Sequence, residues 1–219
     1  MYCLIFFHLI YQSRYRGIPL DANNIQLYTG VTFDNWVYVS GMFAQGFPSL
    51  FGSTNEFVME GTYPRFMITA QKKGVATIQI EFDLEQNMIL DHHIFLEQQY
   101  RGNGWIAFQE HVDRATHLGF DRLECNAFGG IDDANKNDPK KAYNGYITWA
   151  RFGFTMDPES QKRYERKLTE NGQKIMPLHT LLSTDEGRDY WKDKGHSWDG
   201  IFSLAPNSPN RNLFNQYKP

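Results

Sequence analysis

The residues best suited to chemistry are gathered between Asp91 and Gly104. Asp91-His92-His93 stands inside an otherwise apolar run, MILDHHIFL, and Glu97 follows at its end. Carboxylates and imidazoles in that setting are candidates for proton transfer, because histidine titrates near neutrality. In a regular strand Asp91 and His93 share one face and His92 takes the other. A histidine satisfied within the fold is the plainer reading of the same residues. Next comes Gln99-Tyr100-Arg101-Gly102-Asn103-Gly104, with two glycines ahead of an apolar periodic segment. Glycines at a strand-to-helix turn permit close backbone approach, and the free N–H groups and dipole of the helix point at the same spot. A phosphate or pyrophosphate suits such a place. Glycines that serve the turn alone would leave the same trace in the sequence. A P-loop is excluded, since Trp105-Ile106 follow where Lys and Ser/Thr are needed. The dinucleotide fingerprint places its third glycine at Ala107, so only its alanine form fits. His111 and His117 make no metal pair, and neither H-x-x-x-H nor H-E-x-x-H occurs, so no metal is expected.

The elements around these residues are readable from their periods. Phe66 to Gln71 alternates, Lys72-Lys73-Gly74 signals a turn, and Val75 to Phe82 alternates again, which predicts a hairpin. Met88 to Leu96 reads as a further strand. Apolar side chains at Ile106, Phe108, Val112, Ala115 and Leu118 predict a helix with one buried stripe, stopped by Gly119. Arg122 to Phe128 is the next strand, which completes a strand, glycine turn, helix, strand unit. After a polar loop at 132–141, Tyr143 to Phe152 is a short helix ended by Gly153. A charged helix with a solvated face is expected from Asp157 to Asn171, with Pro158 at its start. Ser183-Thr184-Asp185-Glu186 resembles a capping box, and the tail from Ser197 reads as a final strand followed by an ordered end. Residues 1–64 are aromatic and Gly-rich with weak periodicity; within them Tyr2 to Tyr11 is expected to be a buried strand or short helix.

Gln99-x-x-Gly102-x-Gly104 between a strand and a helix resembles the acyl-CoA loop of the GNAT superfamily of N-acyltransferases. The ending Trp149-Ala150-Arg151-Phe152-Gly153-Phe154 is similar to the superfamily's second common mark, and the resemblance covers residues 66–154. It implies an α/β (α+β) fold: a mixed, splayed sheet flanked by helices, here as a single domain over 1–219 with a helical C-terminal extension from 155. It implies acyl-CoA, most simply acetyl-CoA, as cosubstrate and an amine-bearing acceptor attacked directly. By similarity, backbone groups of Phe95 and Leu96 hold the pantetheine, and Gln99, Arg101, Gly102, Asn103, Gly104 and Trp105 form the pyrophosphate loop. Asn144 contacts the pantetheine or caps its helix. Asp91, His92, His93 and Glu97 are candidate bases. The superfamily's usual acid, a tyrosine four residues before the glycine, is replaced here by Trp149, whose indole is too weak an acid, so Tyr146 one turn earlier is the candidate. Asp132-Asp133 and Lys140-Lys141 flank the implied cleft and are candidates for substrate selection. The missing tyrosine also motivates a rival, a GNAT-like binding or structural module without catalysis. A third reading keeps the fold with another donor or a nucleic-acid substrate.

Composition bounds the partners. In 219 residues there are 22 Lys and Arg against 25 Asp and Glu, a net charge of −3, so phosphate backbones find no basic excess and nucleic acid is not indicated. Aromatic content of 16% predicts a packed core rather than disorder. The two cysteines, Cys3 and Cys125, offer neither a disulfide scaffold nor a cysteine zinc site, and a reducing, cytoplasmic setting is expected. The run Tyr2 to Tyr11 is too short for a bilayer span and lacks the flanks of a signal peptide, so no membrane partner is expected. The aromatic stretches 1–64 and 155–219 are candidates for covering the acceptor site or for a dimer interface.

Overall fold

The computed structural model describes residues 13–15, 18–19, 56–62, 64–72, 74–96, 104–134 and 143–216. The run Tyr2 to Tyr11 lies outside them. The chain divides into two compact units, Met1–Leu123 and Glu124–Pro219.

The first unit is built on a mixed sheet with the strand order β2-β1-β3-β4-β5-β6. Its strands are β1 (Ser13–Tyr15), β2 (Ile18–Pro19), β3 (Glu56–Thr62), β4 (Arg65–Lys72), β5 (Ala76–Asp83) and β6 (Met88–Leu96). β1 runs parallel to β3, and the other neighbouring pairs are antiparallel. The expected hairpin is β4–β5, with Lys72 opposite Ala76 and Gly74 at φ 74°, in the left-handed region where glycine is favoured. Along β5, Ile78, Ile80 and Phe82 are wholly buried, while Thr77, Gln79 and Glu81 between them are half-buried, so period 2 sets the core face. β3 pairs with β4 over its whole length; nothing in the weak periodicity of residues 1–64 announced it. At the β5–β6 turn the buried carboxylate of Asp83 accepts from the Glu85 and Gln86 amides and from Arg65 Nε. Burial alone would raise its pKa, yet these donors hold it below the ordinary carboxylate value.

Helix α1 (Gly104–His117) follows β6 and buries Phe108, Val112 and Ala115 of the expected stripe, with Ala107 and His111 beside them; Ile106, expected in the stripe, is instead 52% exposed, and Leu118 is half-buried. Gly119, at φ 82°, ends it, and Phe120 then packs on Phe82 with ring centroids 5.8 Å apart.

In the second unit β9 (Trp198–Ser203) is hydrogen-bonded between β7 (Arg122–Ala127) and β8 (Thr155–Met156), and it runs antiparallel to β8. Helix α2 (Gly145–Arg151) is shorter than the expected Tyr143–Phe152, and Gly153 at φ 90° ends it. Between β8 and β9 lie three helices: α3 (Pro158–Glu170), α4 (Leu178–Leu181) and α5 (Asp185–Lys194). Asp157 caps α3 by accepting from the Ser160 amide at 2.7 Å, and Pro158 opens it where a missing N–H costs nothing. The cap of α5 is Thr184, which accepts from Gly187 at 3.0 Å. This corrects the box read over Ser183–Glu186 by one residue: a glycine stands at the position that must carry the reciprocating carboxylate, so only the hydroxyl half of the box forms. The end of the chain is also more regular than expected, with helix α6 (Pro209–Gln216) after β9.

The core of this unit is aromatic: Tyr164, Trp191, Trp198 and Phe202 are at most 2% exposed. One polar residue ties α6 to it. Asn210 donates to the carbonyls of Gly153 at 2.8 Å and Ile201 at 3.1 Å, and its Oδ1 accepts from the Ser203 amide. Replacing it by alanine removes these bonds, at about 1–3 kcal/mol for the buried Gly153 carbonyl and less for the half-buried Ser203 amide and for the Ile201 carbonyl, which keeps Thr155 Oγ1 at 3.3 Å. Asn210→Ala should therefore lower unfolding stability by about 3 kcal/mol in a denaturant titration; a loss under about 1 kcal/mol would show that water takes over the pairing.

Candidate functional site

In the first unit the chemistry-bearing residues sit where β6 hands over to α1. The β5–β6 ladder is regular from Asp83↔Met88 to Ile80↔Asp91, and then Gln79 pairs with His93. One step of β5 therefore spans two of β6, a bulge with His92 as the extra residue. The bulge corrects the sharing of a face by Asp91 and His93. Their partners, Ile80 and Gln79, are adjacent in β5 and alternate between the two sides of the sheet, so the two residues occupy ladder positions of opposite sense.

Asp91 is wholly buried and His111 of α1 is 1% exposed; His111 Nε2 lies 3.1 Å from Asp91 Oδ1. The carboxylate accepts no well-aligned hydrogen bond among the described residues. So placed, it meets a helix and not solvent, which removes it from the groups a substrate amine can touch. His92 is half-buried and its Nε2 lies 3.0 Å from Glu81 Oε2 on β5. Of the other residues the sequence singled out, His93, Phe95 and Leu96 are placed by register, opposite Gln79, Thr77 and Ala76. Glu97, Gln99, Arg101, Gly102 and Asn103 lie outside the described residues, as do Lys140 and Lys141. Gly104 and Trp105 are the first two residues of α1. The first turn of α1 carries no acidic residue, while Arg114 and His117 stand in its last turn, so nothing on the helix itself neutralises the positive end of its dipole.

In the second unit the sequence pointed to Tyr146, Trp149 and Asn144. Trp149 is 7% exposed and packs edge-on against Phe154 at 4.9 Å and Phe152 at 6.0 Å, a packing role. Asn144 precedes α2, is exposed, and makes no capping hydrogen bond with its side chain, which leaves its carboxamide available. Its backbone bridges to Gly129.

Tyr146 is 6% exposed, and burial raises the pKa of its phenol. Its carbonyl accepts from two indoles, Trp191 Nε1 at 3.2 Å and Trp198 Nε1 at 2.9 Å. Sequence reasoning missed both tryptophans: they come from elements 45 and 52 residues away, and no local period signals such a pairing. Two glycines make room for the ring. A Cβ at Gly129 would fall 2.5 Å from Tyr146 Cδ1, and one at Gly195 would fall 2.8 Å from Tyr146 Cε2. The segments carrying these glycines are tied together. The Ile131 amide donates to the Gly195 carbonyl at 2.8 Å, the Ser197 amide to Asp132 Oδ2 at 2.8 Å, and the Gly129 amide to Ser197 Oγ at 3.1 Å. Asp133 accepts from the Tyr143 amide at 2.7 Å. Asp132 and Asp133, candidates for substrate selection, thus hold the loop in shape.

Next to this slot His196 is 1% exposed, its ring 5.3 Å from that of Trp191, and neither ring nitrogen has a hydrogen-bond partner among the described residues. Among the described residues no group of His, Cys, Asp and Glu could hold a metal ion, and no helix is long and apolar enough to cross a membrane.

No family model and no curated protein matches the chain. Among solved structures it is similar to nourseothricin acetyltransferase at 12% identity over 65% of this chain and 67% of that one, with a TM-score of 0.33. A GNAT-family acetyltransferase from Staphylococcus aureus Mu50 is likewise 12% identical, over 93% and 94% of the two chains, with a TM-score of 0.33. N-acetylglutamate synthase from Neisseria gonorrhoeae, solved with coenzyme A and N-acetyl-glutamate, is 14% identical over 64% of this chain but only 26% of its own, with a TM-score of 0.32. The order of elements through residues 66–154, three antiparallel strands, helix, strand, helix and a closing Gly-Phe, is the order that the GNAT resemblance implies.

Burial first, and then the positive charges of Arg163 and Lys167, push the pKa of His196 down to about 4, with Asp132 opposing. In the unfolded chain the imidazole titrates near 6.5, so between about pH 6.5 and 4 the unfolded state binds the extra proton. The stability that follows is complete above pH 6.5 and is lost as pH falls towards 4. Unfolding free energies measured across that window should slope with pH, and His196→Phe should flatten the slope by up to one proton, about 1.4 kcal/mol per pH unit. Equal slopes in the two proteins would mean that His196 is protonated in the fold.

Proposed function

We propose that the chain is an acyl-CoA-dependent N-acyltransferase that transfers an acyl group, acetyl in the simplest case, from the thioester to an amine by direct attack. The observation that carries this reading is the junction of β6 and α1. Seven residues, 97–103, contain Gln99-x-x-Gly102-x and lead from a bulged strand into a helix that opens with Gly104 and has no acidic residue in its first turn. Such a helix start offers several N–H groups and a positive dipole end to one anion, and the pyrophosphate of CoA supplies two phosphates there.

Transfer begins when the acceptor amine gives a proton to a base, His92, His93 or Glu97 being the remaining candidates, or to water. The nitrogen lone pair then forms the C–N bond to the thioester carbon, the C–S bond breaks, the second proton of the nitrogen passes to solvent, and the thiolate takes the phenol proton of Tyr146 to leave as CoA–SH. Solvent returns a proton to the tyrosine. A raised phenol pKa keeps Tyr146 protonated, as an acid must be before it acts. The burial of Tyr146 also favours a second reading, a CoA-binding module in which this tyrosine is packing alone and no transfer occurs.

Gly104→Val and Gly102→Val place a branched side chain where the anion lies, so calorimetric titration should show CoA binding abolished in both, with Asn103→Ala close to the parent. Unchanged affinity in both valine variants would overturn the loop assignment. Thioester turnover with a panel of amines separates the two readings. If Tyr146 is the acid, Tyr146→Phe should lower kcat roughly a hundredfold with little change in KM for acyl-CoA. Binding of CoA by a parent that turns over no amine would favour the module.

A further inference from the structure

β8 and β9 are antiparallel hydrogen-bonded neighbours, with Thr155 opposite Ile201 and Met156 opposite Gly200. A short turn is enough to join such a pair. The chain instead interposes residues 157–197, three helices and their loops. Where this excursion ends, it delivers Trp191, Gly195, His196, Ser197 and the start of β9 to one place, the first turn of α2.

The Tyr146 carbonyl, besides its place in the hydrogen-bond ladder of α2, is met there by two indole N–H groups, from Trp191 in α5 and Trp198 at the head of β9, each at most 2% exposed. The Trp191 ring also lies against the Tyr146 ring, with centroids 6.3 Å apart and planes inclined at 37°. Gly195, contributed by the excursion, and Gly129, after β7, flank the phenol with no side chain. The hydroxyl of Ser197 accepts from the Gly129 amide, and its Oγ is also 3.3 Å from the Gly129 carbonyl, to which it donates. The guanidinium of Arg163 on α3 holds the Ser197 carbonyl. Backbone and ring of one tyrosine are thus fixed from separate elements.

We propose that the excursion 157–197 is a positioning device for the acid of the transfer reaction, with Trp191 and Trp198 as positioning residues that hold Tyr146 in one orientation. The inference rests on the reading of Tyr146 as that acid. Proton transfer falls off when donor and acceptor leave hydrogen-bond range, so a phenol free to swing loses most of its effect. Trp191 and Trp198 touch neither thioester nor amine; they act through Tyr146. Their contribution should therefore appear in kcat, leave KM for acyl-CoA unchanged, and vanish once the hydroxyl is gone.

The test uses Trp191→Phe and Trp198→Phe, singly and together, each of which keeps an aromatic ring and removes the indole N–H. Melting curves identify the folded variants, and the single changes serve if the double one fails to fold. Each single change should lower kcat about tenfold, and neither should lower it further in a Tyr146→Phe background. Equal effects with and without the Tyr146 hydroxyl would overturn the proposal. A second readout does not need turnover. With fluorotyrosine incorporated and the Tyr146 resonance assigned by its absence in Tyr146→Phe, the parent should give one sharp fluorine signal, and the tryptophan variants a shifted or broadened one. An unchanged signal in folded variants would overturn the positioning role. A parent without turnover whose signal nonetheless changes in those variants would show that the tryptophans orient Tyr146 while the acyltransferase reading fails.

Discussion

In the second unit much follows from keeping two indole N–H groups satisfied away from water. Trp191 and Trp198 are buried in an aromatic interior, where an unpaired donor costs about 1–3 kcal/mol, and both donate to the carbonyl of Tyr146. To bring both there, β9 must start at Trp198 and α5 must end just before Gly195, which fixes how residues 157–197 run. To let the phenol fit, Gly129 and Gly195 must lack side chains. The ties from Ser197 to Gly129 and Asp132 close the same knot. Asn210 does a similar service at the other end of α2, where it pairs the carbonyl of Gly153.

The first unit is organised around a different constraint, the change from strand to helix after Leu96. Regular pairing with β5 would carry β6 along the sheet; the bulge at His92 breaks the phase of the ladder shortly before the glycine loop. It leaves Asp91 turned toward α1, where His111 meets it. A buried carboxylate beside a buried imidazole is weak support for stability and strong support for register, because sliding the helix by one turn would strand both groups. In this way β6 and α1 are held at the two ends of the loop proposed to bind an anion.

The core elements were legible because their periods are plain. β5 alternates without interruption, and α1 shows its stripe and its terminal glycine. The bulge was not legible, since MILDHHIFL alternates as a regular strand does and only pairing with β5 reveals the extra residue. The candidate residues divide along the same line. The glycine loop is a contiguous motif, so spacing alone can propose it. The setting of Tyr146 is made by Trp191, Trp198, Gly195 and Gly129, which no short window brings together. Asp91 looked like a free base because burial by a residue of the next helix leaves no mark on its own strand. The reciprocal half of the cap before α5 failed for a local reason, a glycine at position 187.

Everything proposed for the loop depends on where an anion meets the start of α1. The most direct measurement is a crystal structure of the full chain with CoA. Pyrophosphate oxygens are expected within about 2.7–3.2 Å of the backbone amides of residues 102–105, in line with the axis of α1. CoA bound elsewhere on the chain, with those amides turned to water or to the protein, would contradict the loop assignment.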